Sequence, residues 1–190
     1  MGTKKAIFVG QRIESCRAFS SIMKHYGYVV DIITFKDSFI AKAKEEFDNI
    51  KVILDYDKGI CLDYLYDLMT KNEYEILLSV GFPYILSEKF LALKTIFINS
   101  HPHLLPDHKG NNAIRESFEA KEHHYGVTVH YMTKQVDSGE IILQKEVDFD
   151  PTDIEAIYVS LFSCIEPAAV SESLTMLLSG KEKIAKSMRD

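Results

Sequence analysis

Lys5-Ala6-Ile7-Phe8-Val9-Gly10-Gln11-Arg12-Ile13 is the stretch that decides the architecture. Ala6 to Val9 is a short apolar run of β-branched and aromatic residues ended by Gly10. Ile13, Cys16, Phe19, Ile22 and Met23 then recur at helical spacing, so a strand gives way to a helix. Gly27 closes that helix, and Val29, Val30, Ile32, Ile33 and Phe35 form a second β-branched run. The alternating charge of Lys36 to Asp48 follows, repeating strand then helix. Val52 to Leu54 and Ile76 to Val80 read as two more buried strands, separated by Leu62, Leu65, Tyr66, Leu68 and Met69 on a helical face. Thr95 to Ile98 supplies a fifth. This alternation predicts an α/β fold: an open, mostly parallel, Rossmann-like sheet with helices on both faces, binding ligands beyond the carboxyl ends of its strands.

Beyond residue 110 the rhythm changes. Ala113 to Ala120 suits a helix, and the runs Val127 to Tyr131 and Ile141 to Val147 flank a turn at Asp137-Ser138-Gly139, as in a strand pair with a loop. Thr152 and Glu155 have capping-box spacing, so a long helix is expected to begin there and run, kinked near Pro167, towards Gly180. No repeat or linker interrupts the chain, and residues 1–190 are read as one domain.

Composition narrows the function. A hydrophobic share of 46% and a charged share of 26% suit a globular chain, and a net charge of −6 offers no footprint for a nucleic acid backbone or an anionic membrane. Cys16, Cys61 and Cys164 are scattered, as a reducing compartment permits, which points to the cytoplasm; all three are expected to pack as small hydrophobes. Gly10 cuts the first apolar run too short for a signal peptide. Ile76 to Leu86, the longest apolar run, is broken by Ser79, Gly81 and Pro83, so no membrane span is expected.

The chemistry is expected where a strand ends in Phe97-Ile98-Asn99-Ser100-His101-Pro102. Residues i and i+2 of an extended chain point the same way, so Asn99 and His101 present an amide donor and an imidazole to one bound carbonyl. Around this pair stands a longer string. It runs Asn99-x-His101-Pro102-x-Leu104-Leu105-Pro106 with Gly110, then Gly126-Val127-Thr128-Val129-His130, then Asp137-x-Gly139 with Ile141, Ile142 and Gln144. From about Gly81 to Val147 this closely resembles the folate-dependent formyltransferases, the group that includes the glycinamide ribonucleotide, methionyl-tRNA and amino-sugar enzymes; the first 70 residues share only the fold pattern.

The resemblance implies a formyltransferase fold, 10-formyltetrahydrofolate as co-substrate, a small-molecule primary amine as acceptor, and Asn99, His101 and Asp137 as the catalytic trio. An amine attacking the formyl carbon generates an oxyanion that Asn99 and a protonated His101 would stabilise, while Asp137 favours the imidazolium. The resemblance also places the pterin against Phe82, Tyr84, Ile85 and Leu86 and against Gln135 and Val136. Pro83 and Tyr84 depart from the side chains usual there, and Pro83 removes one backbone donor. Gly10, Arg12 and Gly110 are the positions assigned to the acceptor. The turn after the first strand has one glycine where phosphate-binding relatives have a Gly- and Ser-rich cradle, and Glu14 would repel a phosphate. The tRNA enzymes carry an additional basic C-terminal domain, which this acidic chain ends too early to hold. A nucleotide-linked amino sugar is therefore the expected acceptor, with glycinamide ribonucleotide, water (a formyltetrahydrofolate hydrolase) or no reaction (a folate-binding module) as alternatives.

Other readings compete at single residues. Asp137-Ser138-Gly139 is by itself an ordinary turn, and His130 is as suited to orienting the Asp137 loop as to touching substrate. His123 and His124 sit among charges on a solvated face. His101, His103 and His108 do not read as metal ligands, since no acidic or cysteine partner follows at helix spacing and Pro102 and Pro106 constrain their directions. Phe149 and the stripe Ile154, Ile157, Leu161 and Ile165 suit core or a homodimer contact.

Overall fold

The computed structural model describes residues 3–53, 57–150 and 152–180. Strand β1 (Lys5–Gly10) leads into helix α1 (Ile13–His25), then β2 (Val29–Phe35), a short α2 (Phe39–Lys42), β3 (Asn49–Ile53), α3 (Lys58–Lys71) and β4 (Tyr74–Val80). A short α4 (Glu88–Leu91) precedes β5 (Ile96–His101) and α5 (Ala113–Glu119). The antiparallel pair β6 (His124–Tyr131) and β7 (Ile141–Asp148) follows, then α6 (Ile154–Ser160) and α7 (Glu166–Leu178). One seven-stranded sheet in the order β3-β2-β1-β4-β5-β6-β7 carries them. The strands from β3 to β5 pair in parallel, and β6 alone runs against the rest, pairing antiparallel with both β5 and β7, which is the expected mostly parallel α/β sheet.

Its two faces are buried by different sets. Ala6, Phe8, Ile76, Leu78 and Ile98 pack with α1 and α7, while Ile7, Val9, Leu77 and Phe97 pack with α3 and Phe90. That alternation is the period of two turned into two cores. Helix α1 presents Cys16, Phe19 and Met23 to the first core. It ends as Gly27 implies: Gly27 takes φ 81°, its N–H reaches Lys24 O, and Tyr28 N–H reaches Met23 O. Gly10 is required for a different reason. A Cβ there would lie 1.9 Å from Val80 O, so only glycine lets β1 approach β4 this closely.

Several elements depart from the expectations. The charged stretch after β2 forms a single turn, α2, followed by a 3₁₀ turn at Lys44–Glu46. Ile40 is its buried apolar residue while Phe39 is 68% exposed, so the segment lacks the apolar stripe that sustains a longer helix. The strand expected over Val52 to Leu54 lies at Asn49–Ile53, and Leu54 is outside the described residues. The cap of α6 is Asp153 and not Thr152: its carboxylate accepts from the Glu155 and Ala156 N–H groups. The expected kink is a π-helical turn at Leu161–Ile165, two residues before Pro167. Proline has no N–H for the carbonyl four residues back and its ring crowds that carbonyl, so the ladder widens there.

The run Ile154–Leu178, with mean hydropathy 1.3, is long and apolar enough to cross a membrane by length and composition. Here the run lies against α1, β6 and β7, burying Ile157, Leu161, Ala169, Val170 and Leu174 and also a glutamate, Glu166. Cys16 and Cys61 are buried, and burial pushes the Cys16 thiol up to about 12, so it packs as an inert small residue. Cys164 instead is exposed, because the π turn carries it off the buried face.

Candidate active site

The carboxyl ends of β1, β4 and β5 open onto one cavity of about 300 Å³. Strand β5 delivers Asn99 and His101 on the same side of the chain. The antiparallel register sets His130 of β6 directly opposite Asn99, so a third polar side chain joins them. Asn99 Nδ2 lies 3.3 Å from His130 Nε2, and His130 Nδ1 lies 2.9 Å from Tyr131 O. A carbonyl only accepts, so His130 Nδ1 carries a proton. At most one Asn99 N–H is engaged at His130 Nε2, leaving the second Asn99 N–H for a ligand.

Asp137 completes the group from the loop between β6 and β7. It takes φ 48°, an uncommon conformation outside glycine, and its side chain is only 9% exposed. It is therefore more than a surface turn residue. Oδ2 accepts from Gly110 N–H at 2.8 Å and lies 3.3 Å from His101 Nδ1, while Oδ1 lies 3.4 Å from His130 Nε2. Lys109 Nζ donates to Ser138 Oγ at 2.7 Å and ties the two loops together. Burial favours the neutral carboxyl, but the His130 contact, the His101 charge and the Gly110 N–H outweigh it and hold Asp137 below the usual carboxylate range.

His101 is 3% exposed, and its Nε2 lies 2.8 Å from His108 O. That carbonyl assigns the resting proton to Nε2, so the lone pair of the neutral ring sits on Nδ1, facing Asp137. Burial holds the imidazole below its ordinary value, with Asp137 opposing. The ring rests neutral and faces a carboxylate that stabilises it once it takes a proton on Nδ1.

The apolar wall is made of Phe82, Tyr84, Ile85, Leu86, Met132 and Val136, with Gln135 beside them. Phe82 stacks on Phe35, with ring centroids 5.9 Å apart, and Tyr84 meets both edge-on. Ile85 and Val136 stay 59% and 43% exposed, which is unusual for large apolar side chains facing a cavity.

The assigned acceptor residues fare differently. Gly110 lines the cavity, but its N–H is committed to Asp137. Gly10 does not line it; its glycine is explained by the contact with Val80. Arg12 lines it, but its guanidinium forms an ion pair with Glu166, a residue the sequence reading did not single out. Glu166 is fully buried and also accepts from Ser15 Oγ at 2.9 Å and Ser100 Oγ at 3.0 Å, and the Arg12 guanidinium lies 3.6 Å over the Phe162 ring. No sequence signal marks Glu166, because its partners lie 154, 151 and 66 residues away. His130 was legible once β5 and β6 were paired.

A Rossmann-like sheet thus carries an amide, two imidazoles and a carboxylate at the carboxyl edge where such sheets bind ligands. The formyl transferase family model matches residues 21–173, and the chain belongs to that family. The methionyl-tRNA formyltransferase of Thermotoga neapolitana is 27% identical over 189 residues, covering 95% of this chain and 58% of that protein. The trifunctional purine biosynthetic protein adenosine-3 of Chironomus tentans is 32% identical over 117 residues, covering 61% of this chain and 8% of that protein. The crystal structure of phosphoribosylglycinamide formyltransferase from Bacillus halodurans shares the fold, with a TM-score of 0.78 at 22% identity, covering 96% of this chain and 98% of that one. The chain thus spans less than two thirds of the methionyl-tRNA formyltransferase it matches.

Proposed function

We propose that this protein transfers a formyl group from 10-formyltetrahydrofolate to the primary amine of a small molecule, with Asn99, His101 and Asp137 as its catalytic residues. The observation that carries the reading is the convergence of these three side chains in one cavity, from β5 and a loop 36 residues later in the chain than His101 (137 − 101). The apolar wall of Phe82, Tyr84, Ile85, Leu86 and Val136, with Gln135 beside it, suits a flat pterin, and its exposed side chains are what such a ring would cover. The folate supplies an electrophilic formyl carbon; the chain supplies the rest. The free Asn99 N–H donates to the oxygen that gains negative charge, a contribution of about 3–4 kcal/mol in comparable sites. His101 accepts the amine's proton on Nδ1, Asp137 stabilises the resulting imidazolium, and that proton passes to N10 of the departing tetrahydrofolate as its bond to the formyl carbon breaks.

For the acceptor, a nucleotide-linked amino sugar is the reading favoured by the β1–α1 turn. Glu166 neutralises Arg12, and the turn has one glycine, itself packed against β4, so nothing there cradles a terminal phosphate. The test is mass-spectrometric detection of formylated product when the protein and 10-formyltetrahydrofolate meet a panel of amines. The panel holds nucleotide-linked amino sugars, glycinamide ribonucleotide and methionyl-tRNA, with formate release in water measured beside it. Product on an amino sugar is expected. Product on glycinamide ribonucleotide or tRNA would overturn the acceptor, and formate alone would overturn the transferase.

A further inference from the structure

We propose that His103, His108 and Glu122 form a binding site for a divalent transition-metal ion of the zinc class, joined to His101 through the His108 main chain. These residues lie outside the cavity described above. One ligand atom from each can be chosen such that all three lie within 4.8 Å of one another. His108 Nε2 is 3.0 Å from both Glu122 oxygens, and His103 Nε2 is 4.0 Å from Glu122 Oε2. A tetrahedral ion with bonds of about 2.0–2.1 Å holds neighbouring ligand atoms roughly 3.3–3.4 Å apart, which is the scale of this cluster.

Chemistry and placement agree with that geometry. Two imidazoles and one carboxylate suit zinc, cobalt or nickel, and they leave a fourth position for water. Glu116 Oε2 lies 3.5 Å from His108 Nδ1, the outward nitrogen, where a carboxylate orients a metal-bound histidine. His103 is 3% exposed, whereas the Glu122 side chain is 38% exposed, so the cluster is anchored in the core and open at one corner. Ser117 Oγ, 2.5 Å from His103 Nε2, is the partner that an ion would displace. The acidic partner that the histidine spacing lacks arrives through α5, whose turn back brings Glu122 to the loop after β5.

The same loop reaches the trio, because His108 O accepts from His101 Nε2 at 2.8 Å. An ion on the His108 ring therefore fixes the carbonyl that sets the His101 tautomer. This link rests on the role proposed for His101; the binding site does not.

The experiment is titration of the EDTA-stripped protein with cobalt and zinc chloride, followed by cobalt visible absorption and calorimetry. Expected are one equivalent bound with Kd at or below about 10 μM, an intense four-coordinate cobalt spectrum, and at least about tenfold weakening in His108→Ala and in the surface-accessible Glu122→Gln. Circular dichroism of each variant separates lost binding from lost fold. Ser117→Ala should tighten binding, and His124→Ala, in the exposed His124, Glu146 and Asp148 cluster, should leave it unchanged. Absence of stoichiometric binding, or binding lost in His124→Ala but not in His108→Ala, would overturn the site. For the link, the His101 Nε2 nitrogen resonance should move on zinc addition; an unchanged resonance with zinc bound would overturn the link alone, whatever the outcome of the formyl-transfer assay.

Discussion

At the carboxyl end of β5 the polar groups face the cavity with capacity to spare, whereas at the end of β1 they have satisfied one another. Asn99 keeps an N–H free, and His101 keeps a lone pair on Nδ1. Arg12, by contrast, is bound by Glu166, which Ser15 and Ser100 also hold. The two regions sit at the same edge of one sheet with β4 between them, yet one keeps hydrogen-bonding capacity for a ligand and the other has its charges paired internally.

If that contrast holds, substitutions should separate into losses of rate on one side and losses of stability or acceptor preference on the other. Asp137→Asn should lower kcat about 10²–10⁴-fold, since it removes the charge that stabilises the imidazolium while keeping shape. A steady-state assay that finds wild-type kcat would break the reading of the β5 side. Asn99→Ala should cost about 10²–10³-fold in kcat with little change in acceptor KM; a pure KM effect would make it a binding residue.

On the β1 side, Arg12→Met strands a fully buried carboxylate and should cost about 3–5 kcal/mol in urea unfolding. The double change Arg12→Met with Glu166→Met should recover most of that loss. Unaltered stability in the single variant would mean the pair is solvated.

The pH profile follows from His101. Its proton affinity in the fold is below the ordinary imidazole value of about 6.5, so the neutral ring persists to lower pH and the acid limb of kcat should fall below that value. The stability sign is the same. The folded chain resists protonation that the unfolded chain accepts, so this group's contribution is complete above the unfolded value and is lost as pH falls below it. An acid limb above pH 7 would contradict a neutral resting His101. The smallest effect is expected at the apolar wall: Tyr84→Ala removes edge-on contacts worth about 1 kcal/mol and should raise the folate KM roughly fivefold at constant kcat.

Much of this was legible in the chain because it depends on local spacing. The run Ala6 to Val9 before Gly10, the helical stripe Ile13 to Met23 and the strand Ile76 to Val80 each bury one face, and period alone identifies the face. Asn99 and His101 share a side for the same reason. Where a segment lacks enough apolar residues, as after β2, local charge alternation suggested a helix that packing does not sustain.

By itself, then, the sequence determined the α/β sheet and its family, since these rest on periodicity and on a motif read along the chain. Tertiary structure alone decided the rest. The pairing of β5 with β6 set His130 opposite Asn99, the His108 carbonyl assigned the His101 proton, and α7 carried Glu166 across 154 residues to close on Arg12. Hydrogen bonds and ion pairs act over a few ångströms of space and are indifferent to distance along the chain, so partners that folding brings together leave no spacing to read.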